Sequence, residues 1–197
     1  MCRHVSRFFH QSPRNFCEFA DQIGCTLTGW LTITWGLTDT EGRIQQRQVN
    51  FFELYAKWAK YNRFIPAYVW SIENGPNKGL HSHILIHVPS KLRLTFMKMI
   101  KSWLGQRAGI SCDEKPAKFK KQHYGEGLKR WNAVKGTVRY MLKAIGGHWG
   151  KLLKIRPDPE GAGEVTGKRI GTSRNLGEAA RLQHKRTERA VRARDRK

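Results

Sequence analysis

The chain has 197 residues, enough for one domain with a sizeable hydrophobic core and too few for a second full domain such as a helicase motor. It carries 37 Lys and Arg against 15 Asp and Glu, and the self-repulsion of a +22 net charge points to a polyanionic partner, most often nucleic acid. The four cysteines (Cys2, Cys17, Cys25, Cys112) lack metal-finger spacing, the N-terminus lacks a signal-like apolar stretch, and no run approaches the roughly 20 apolar residues of a membrane span, so reduced thiols, no membrane and an intracellular setting are expected.

Taken in chain order, residues 1–24 read as a mixed, partly helical arm. "CTLTGWLTITWG" (25–36) is rich in Thr, Leu, Ile and Trp and predicts a strand, and "DTEGR" (39–43) predicts a turn. "VNFFELYAKWAKYNRF" sets Phe51, Phe52, Tyr55, Trp58 and Ala59 at helical spacing, with Asn50 as cap. "IPAYVWSIE" (65–73) and "LHSHILIHV" (80–88) predict two strands joined by the turn "NGPNKG" (74–79). A helix follows, capped by Ser90, with Leu92, Phe96, Ile100 and Trp103 down one side.

Residues 105–130 read as a basic, mostly irregular connection, and "RWNAVKGTVRYMLKAIGG" (130–147) as a helix closed by its glycines. After the linker "RPDPEGAGEVTG" (156–167), the residues from Val165 on hold 11 Lys and Arg against 3 acids and few large apolar side chains, which predicts a mobile or marginally helical tail. The element order implies an α+β fold, a central antiparallel β-sheet with flanking helices and a basic C-terminal extension. The divisions are an N-terminal arm (1–24), a main domain (25–155) and a linker with basic tail (156–197).

Histidines interrupt the apolar run 80–88, and alternation along a strand sends His81 and His83 to one face. A symmetric hairpin across 74–80 sets Glu73 opposite His81 and Ser71 opposite His83, with opposed Cβ atoms about 5 Å apart. Glu73, His81 and His83 then converge as one carboxylate and two imidazoles, a donor set for a divalent ion such as Mg²⁺ or Mn²⁺, or Zn²⁺. A bare His-x-His is otherwise an exposed strand face. His87 lies two side-chain steps beyond His83 and reads as a strand-end polar group.

A metal beside a basic surface needs a nucleophile for phosphodiester chemistry, and "VRYMLKAI" offers Tyr140 with Lys143 one turn on. Tyrosine is a poor nucleophile at its ordinary pKa of about 10, so activation rests on a neighbouring cation or desolvation, and Lys143 can supply charge stabilisation. A core tyrosine beside a surface lysine is the plain alternative for that pair taken alone.

Taken together, His81-Ser82-His83, the upstream Glu73, "LTITWG" (31–36) and "YMLK" (140–143) resemble the HUH endonucleases of the rolling-circle replication initiator class, over roughly residues 25–150. The order of strand motif, histidines and tyrosine fits that class rather than conjugative relaxases, whose tyrosine precedes the histidines. Ser82 departs from the pattern, where a bulky apolar residue is usual. The resemblance implies metal ligation by His81, His83 and Glu73, with Mg²⁺ or Mn²⁺ as cofactor. It further implies attack by Tyr140 on single-stranded DNA, a 5′-phosphotyrosine link, and a free 3′-OH that primes a host polymerase behind a host helicase. The expected substrate is single-stranded DNA at a replication origin or hairpin of a plasmid, phage or mobile element, in the cytoplasm of a bacterial cell. Tyr124 lacks a lysine three residues on, which favours a single-tyrosine enzyme.

"KPAKFKKQHY" (115–124) and "KRW" (129–131) interleave cations with aromatics, a mixture suited to unpaired strands, which nominates Lys118, Lys120, Lys121 and Arg130 as DNA-binding; Lys168 and Arg169 in "GKRIGTSRNLG" are nominated with them. Within the resemblance the rival is a single-tyrosine transposase of hairpin repeats. Outside it stand a histidine-triad nucleotide hydrolase, disfavoured by the 81, 83, 87 spacing, and a basic nucleic-acid-binding protein with an incidental His-x-His.

Overall fold

The computed structural model describes residues 13–36, 41–75, 79–108, 117–121 and 168–195, together with 133, 136–137, 140–141 and 165. Its elements are α1 (Pro13–Gln22), β1 (Gly29–Gly36), α2 (Glu41–Tyr61), β2 (Tyr68–Gly75), β3 (Gly79–Ile86), a 3-10 turn (Ser90–Leu92) running into α3 (Arg93–Ala108), β4 (Ala117–Lys121), β5 (Ile170–Thr172), a second 3-10 turn (Arg174–Leu176) and α4 (Glu178–Arg194). The five strands form one antiparallel sheet in the order β4-β1-β3-β2-β5, so the α+β class and the central antiparallel sheet are as expected.

β3 lies at the centre, paired on both sides, and all eight of its residues are buried. Its even-numbered residues face an apolar layer in which Ile84 and Ile86 join Leu31, Ile33, Trp35 and Ile72 from the neighbouring strands. Helices α2 and α3 cover that face with Ile44, Phe51, Phe52, Tyr55, Phe96, Ile100 and Trp103. The other face is covered at one end by Phe16, Phe19 and Ala20 of α1, Leu176 and the helical residue Met141, packed on Val69, Leu85 and Ile170. The remainder of that face, around His81 and His83, is where polar side chains gather.

Several segments differ from expectation. The turn predicted at 39–43 gives way to helix at Glu41, and Asn50 is no cap; it sits inside α2 and accepts from Gln46 Nε2 at 3.1 Å. The reason is visible in the spacing of buried Ile44, Gln48, Phe51 and Tyr55, which carries the helix back two turns. Ser90 opens a 3-10 turn with no side-chain cap bond rather than capping α3. Within the connection read as irregular, Ala117–Lys121 is an edge strand paired to β1 through Gly29–Ile33. Residues of the supposed arm bury Phe16, Cys17, Phe19 and Ala20.

Part of the stretch read as a mobile or marginally helical tail joins the sheet. Ile170–Thr172 pairs with Val69–Ser71 of β2, Ile170 and Leu176 are buried, and α4 follows as a 17-residue helix. Two apolar side chains suffice here because they cap an existing core rather than build one. Gly171 permits the pairing, since a Cβ there would meet the Trp70 indole at 2.8 Å.

Ser82 has a specific place on the α2–α3 face. Fully buried, it accepts from Trp35 Nε1–H at 2.8 Å and donates to Gln48 Oε1 at 2.5 Å. A bulky apolar residue would leave both partners unsatisfied. Ser82→Ala is therefore expected to cost about 1–3 kcal/mol, read as a lowered urea midpoint at unchanged slope.

Candidate metal centre

The hairpin register is the expected one: Glu73 stands opposite His81 and Ser71 opposite His83. On the other side of β3, Thr34 faces His81 and Thr32 faces His83. Directly opposed residues share a face, so the three side chains of the triad converge. His81 Nε2 lies 3.5 Å from Glu73 Oε2 and His83 Nε2 lies 3.6 Å from the same oxygen. One ligand atom from each residue falls within 4.8 Å of the others. All three are buried, at 2 % exposure for Glu73, 5 % for His81 and 4 % for His83.

The imidazoles are oriented from behind. His81 Nδ1 sits 2.9 Å from the Gly79 carbonyl, which can only accept, so Nδ1 donates there and Nε2 is the ring nitrogen turned toward Glu73. Gly79 supplies that carbonyl with φ +60°, and Gly75 leaves room for the ring, since a Cβ there would come within 3.3 Å of His81 Cε1. His83 Nδ1 is held 3.2 Å from Thr32 Oγ1.

This arrangement fits a metal. Two imidazole nitrogens and a carboxylate oxygen, buried together, are a donor set that a divalent cation would join. Ligand bonds of about 2.0–2.2 Å in tetrahedral geometry place neighbouring donor atoms about 3.4 Å apart, near the two separations observed. Nδ1 held by a backbone carbonyl or hydroxyl is the usual support for an imidazole that ligates through Nε2. The donors are hard to borderline and do not select one ion.

Tyr140 comes to the same place. Its ring centroid lies 5.2 Å from that of His83 and 5.9 Å from that of Trp30, edge-on to both, and the side chain is 46 % exposed. Met141, the next helical residue, is buried against Val69 and Leu85, which anchors Tyr140 over the triad. Trp30 in turn stacks on His83, with centroids 5.1 Å apart. The core-tyrosine alternative does not describe a ring exposed in this way.

Lys118 pairs with Thr32 and Lys120 with Trp30, so both stand in the cross-strand rows of the site, exposed on edge strand β4, while Lys121 alternates to the other side. Lys168 lies over Trp70, on the α2 side of the sheet, with Nζ 5.8 Å from the ring centroid. Arg169 is half-buried, and its carbonyl accepts from the Ile72 N–H. Arg130, Lys143 and Tyr124 lie outside the described residues.

His87 does not join the triad. It sits past the end of β3, 2.9 Å from the Thr26 carbonyl through Nδ1 and edge-on to Phe64. Burial, with a smaller contribution from Arg93, holds its pKa below the ordinary 6.5, against an opposing pull from the Thr26 carbonyl.

Trp30 and Thr32 were not singled out from the sequence. Their alternation in "GWLTITWG" was readable, but not that 51 residues later His83 would pair with Thr32. No protein-family model, no curated protein and no solved structure matches this chain. No helix among the described residues is long and apolar enough to cross a membrane.

Thr32→Val, which removes the Thr32 hydroxyl from His83 Nδ1, is expected to weaken Mn²⁺ or Zn²⁺ binding by about 10-fold, and Glu73→Gln by more than the about 100-fold upper range for such supporting groups, both measured by chelator competition. For His87 the unfolded group titrates near 6.5 and the folded one lower, so its stability contribution is complete above 6.5 and is lost as pH falls through the folded value. The urea midpoint should accordingly drop on acidification more in the parent protein than in His87→Asn, whose amide can replace the Nδ1–H donor.

Proposed function

We propose that this protein is a metal-dependent single-stranded DNA nicking and joining enzyme of the HUH type that acts through Tyr140 and initiates rolling-circle replication of a plasmid, phage or mobile element. The observation that carries this reading is the exposed Tyr140 phenol beside His83, over a buried Glu-His-His triad, on a chain of net charge +22. The α+β sheet with its paired histidines on the central strand supports it further.

Glu73, His81 and His83 would hold the ion, with Mg²⁺ or Mn²⁺ the expected species. When bound, the ion supplies Lewis-acid polarisation of a phosphate oxygen. The chain's own residues do the rest. Trp30 and Met141 fix Tyr140 over the site, while Lys118 and Lys120 offer cations to neighbouring phosphates. The Tyr140 Oη–P bond forms as the P–O3′ bond breaks. The phenolic proton is given up and the departing 3′ oxygen takes one up, leaving a 5′-phosphotyrosine and a free 3′-OH. A host polymerase extends that end, a host helicase unwinds ahead of it, and the reverse reaction joins strands. Lys143 is the proposed stabiliser of negative charge at the phenolate.

The test is covalent capture. The protein is mixed with a randomised single-stranded DNA pool and Mn²⁺ or Mg²⁺, and denaturant-resistant adducts are collected and sequenced. The expected adduct disappears with EDTA, with Tyr140→Phe and with His81→Ala/His83→Ala. An adduct that survives Tyr140→Phe would remove Tyr140 from the mechanism. Salt-sensitive binding with no adduct at all would leave a basic nucleic-acid-binding protein.

A further inference from the structure

Among the described residues, helix α4 meets the body near its start. Ala180 packs on the apolar cluster, the Arg181 guanidinium lies 4.5 Å from the Phe16 ring centroid, and His184 meets Phe19 edge-on at 5.3 Å. From Lys185 to Arg194 every side chain is exposed. This stretch holds Lys185, Arg186, Arg189, Arg192 and Arg194 against one acid, Glu188, whose carboxylate is turned onto His184 at 3.4 Å. Such a segment buries no apolar surface, so packing does not explain why it is there.

The cations are not scattered. At 3.6 residues per turn, Lys185, Arg189 and Arg192 fall within about 60° of one another and span about 10 Å of helix axis. Alanine, arginine, lysine and glutamate are strong helix formers, so the segment continues the helix that packing starts at Ala180. No aromatic ring lies between Lys185 and Arg194. Sites for single strands join cations to rings on which bases stack, whereas α4 offers cations alone. That chemistry reads phosphates without reading bases.

We propose that the Lys185–Arg189–Arg192 stripe of α4 is a docking surface for the phosphate backbone of double-helical DNA. On each strand phosphates recur about every 3.4 Å of duplex axis, so about 10 Å of stripe laid along that axis spans about three of them. A helix about 10–12 Å across matches the major groove of B-form DNA, about 12 Å wide, and not the deep, narrow major groove of duplex RNA. The surface serves duplex beside the single-stranded site, and it stands independently of the role given to Tyr140.

The test uses the full chain in EDTA, so that no strand is cut. Fluorescence anisotropy follows binding to a labelled DNA duplex of arbitrary sequence across a NaCl series. The variant is Lys185→Gln/Arg189→Gln/Arg192→Gln, and the control is Lys57→Gln/Lys60→Gln/Lys101→Gln, three equally exposed cations on α2 and α3. The stripe variant is expected to flatten the slope of log affinity against log salt by about 2.7 and to lose at least about 10-fold in affinity near 0.1 M salt, with the control slope moving by less than about 1.

Equal effects from the two triples would overturn the proposal, as would an equal loss on the single strand or on duplex RNA. Should circular dichroism reveal lost helix in the triple, Arg189→Gln alone carries the same expectation, scaled to a slope change of about 0.9.

Discussion

Two imidazole nitrogens face one carboxylate oxygen, at 3.5 and 3.6 Å, inside a sheet that excludes water. Everything else in the site follows from keeping that arrangement in place. A buried carboxylate is costly unless positive charge or hydrogen-bond donors meet it, and the two imidazoles stand where a cation would join all three. The chain nonetheless fixes each ring from behind, with the Gly79 carbonyl on His81 and Thr32 on His83. Glycines at 75 and 79 make the space and the backbone turn this requires. The buried positions spent in this way form a group that could hold a metal ion.

The sheet tolerates such a polar patch because β3 has two unlike faces. Ile84 and Ile86 lock one face under α2 and α3, with Ser82, Trp35 and Gln48 closing a small hydrogen-bonded gap among them. Among the described residues, the apolar cover on the opposite face lies at one end, from α1, Met141 and the turn before α4. Tyr140 is exposed there, next to the buried Glu73, His81 and His83. Rigidity comes from the covered face and access from the partly covered one.

Positive charge stands in two places on the described surface. Lys118 and Lys120 extend the cross-strand rows of His83 and Trp30 toward an exposed edge. Helix α4 carries a separate cationic stripe with no rings beside it. Cations beside Trp30 and Tyr140 suit unpaired bases, and cations on a bare helix suit duplex backbone. The same excess of positive charge thus takes two physical forms.

The sequence by itself determined the hairpin and its register, because a turn of fixed length joins Glu73 to His81 and side chains alternate by two. It also determined the helical positions Phe96, Ile100 and Trp103, whose spacing follows from local geometry. Only the tertiary structure decided the rest. Strand β4 is mostly lysine and β5 is three residues long, so neither carries a local apolar pattern; each exists because an edge of a formed sheet accepted it. Likewise, the approach of Trp30, Thr32 and Tyr140 to His83 joins segments far apart in the chain, and no periodicity encodes a contact of that range. Local rules fix what repeats every two or 3.6 residues; long-range packing fixes which faces meet.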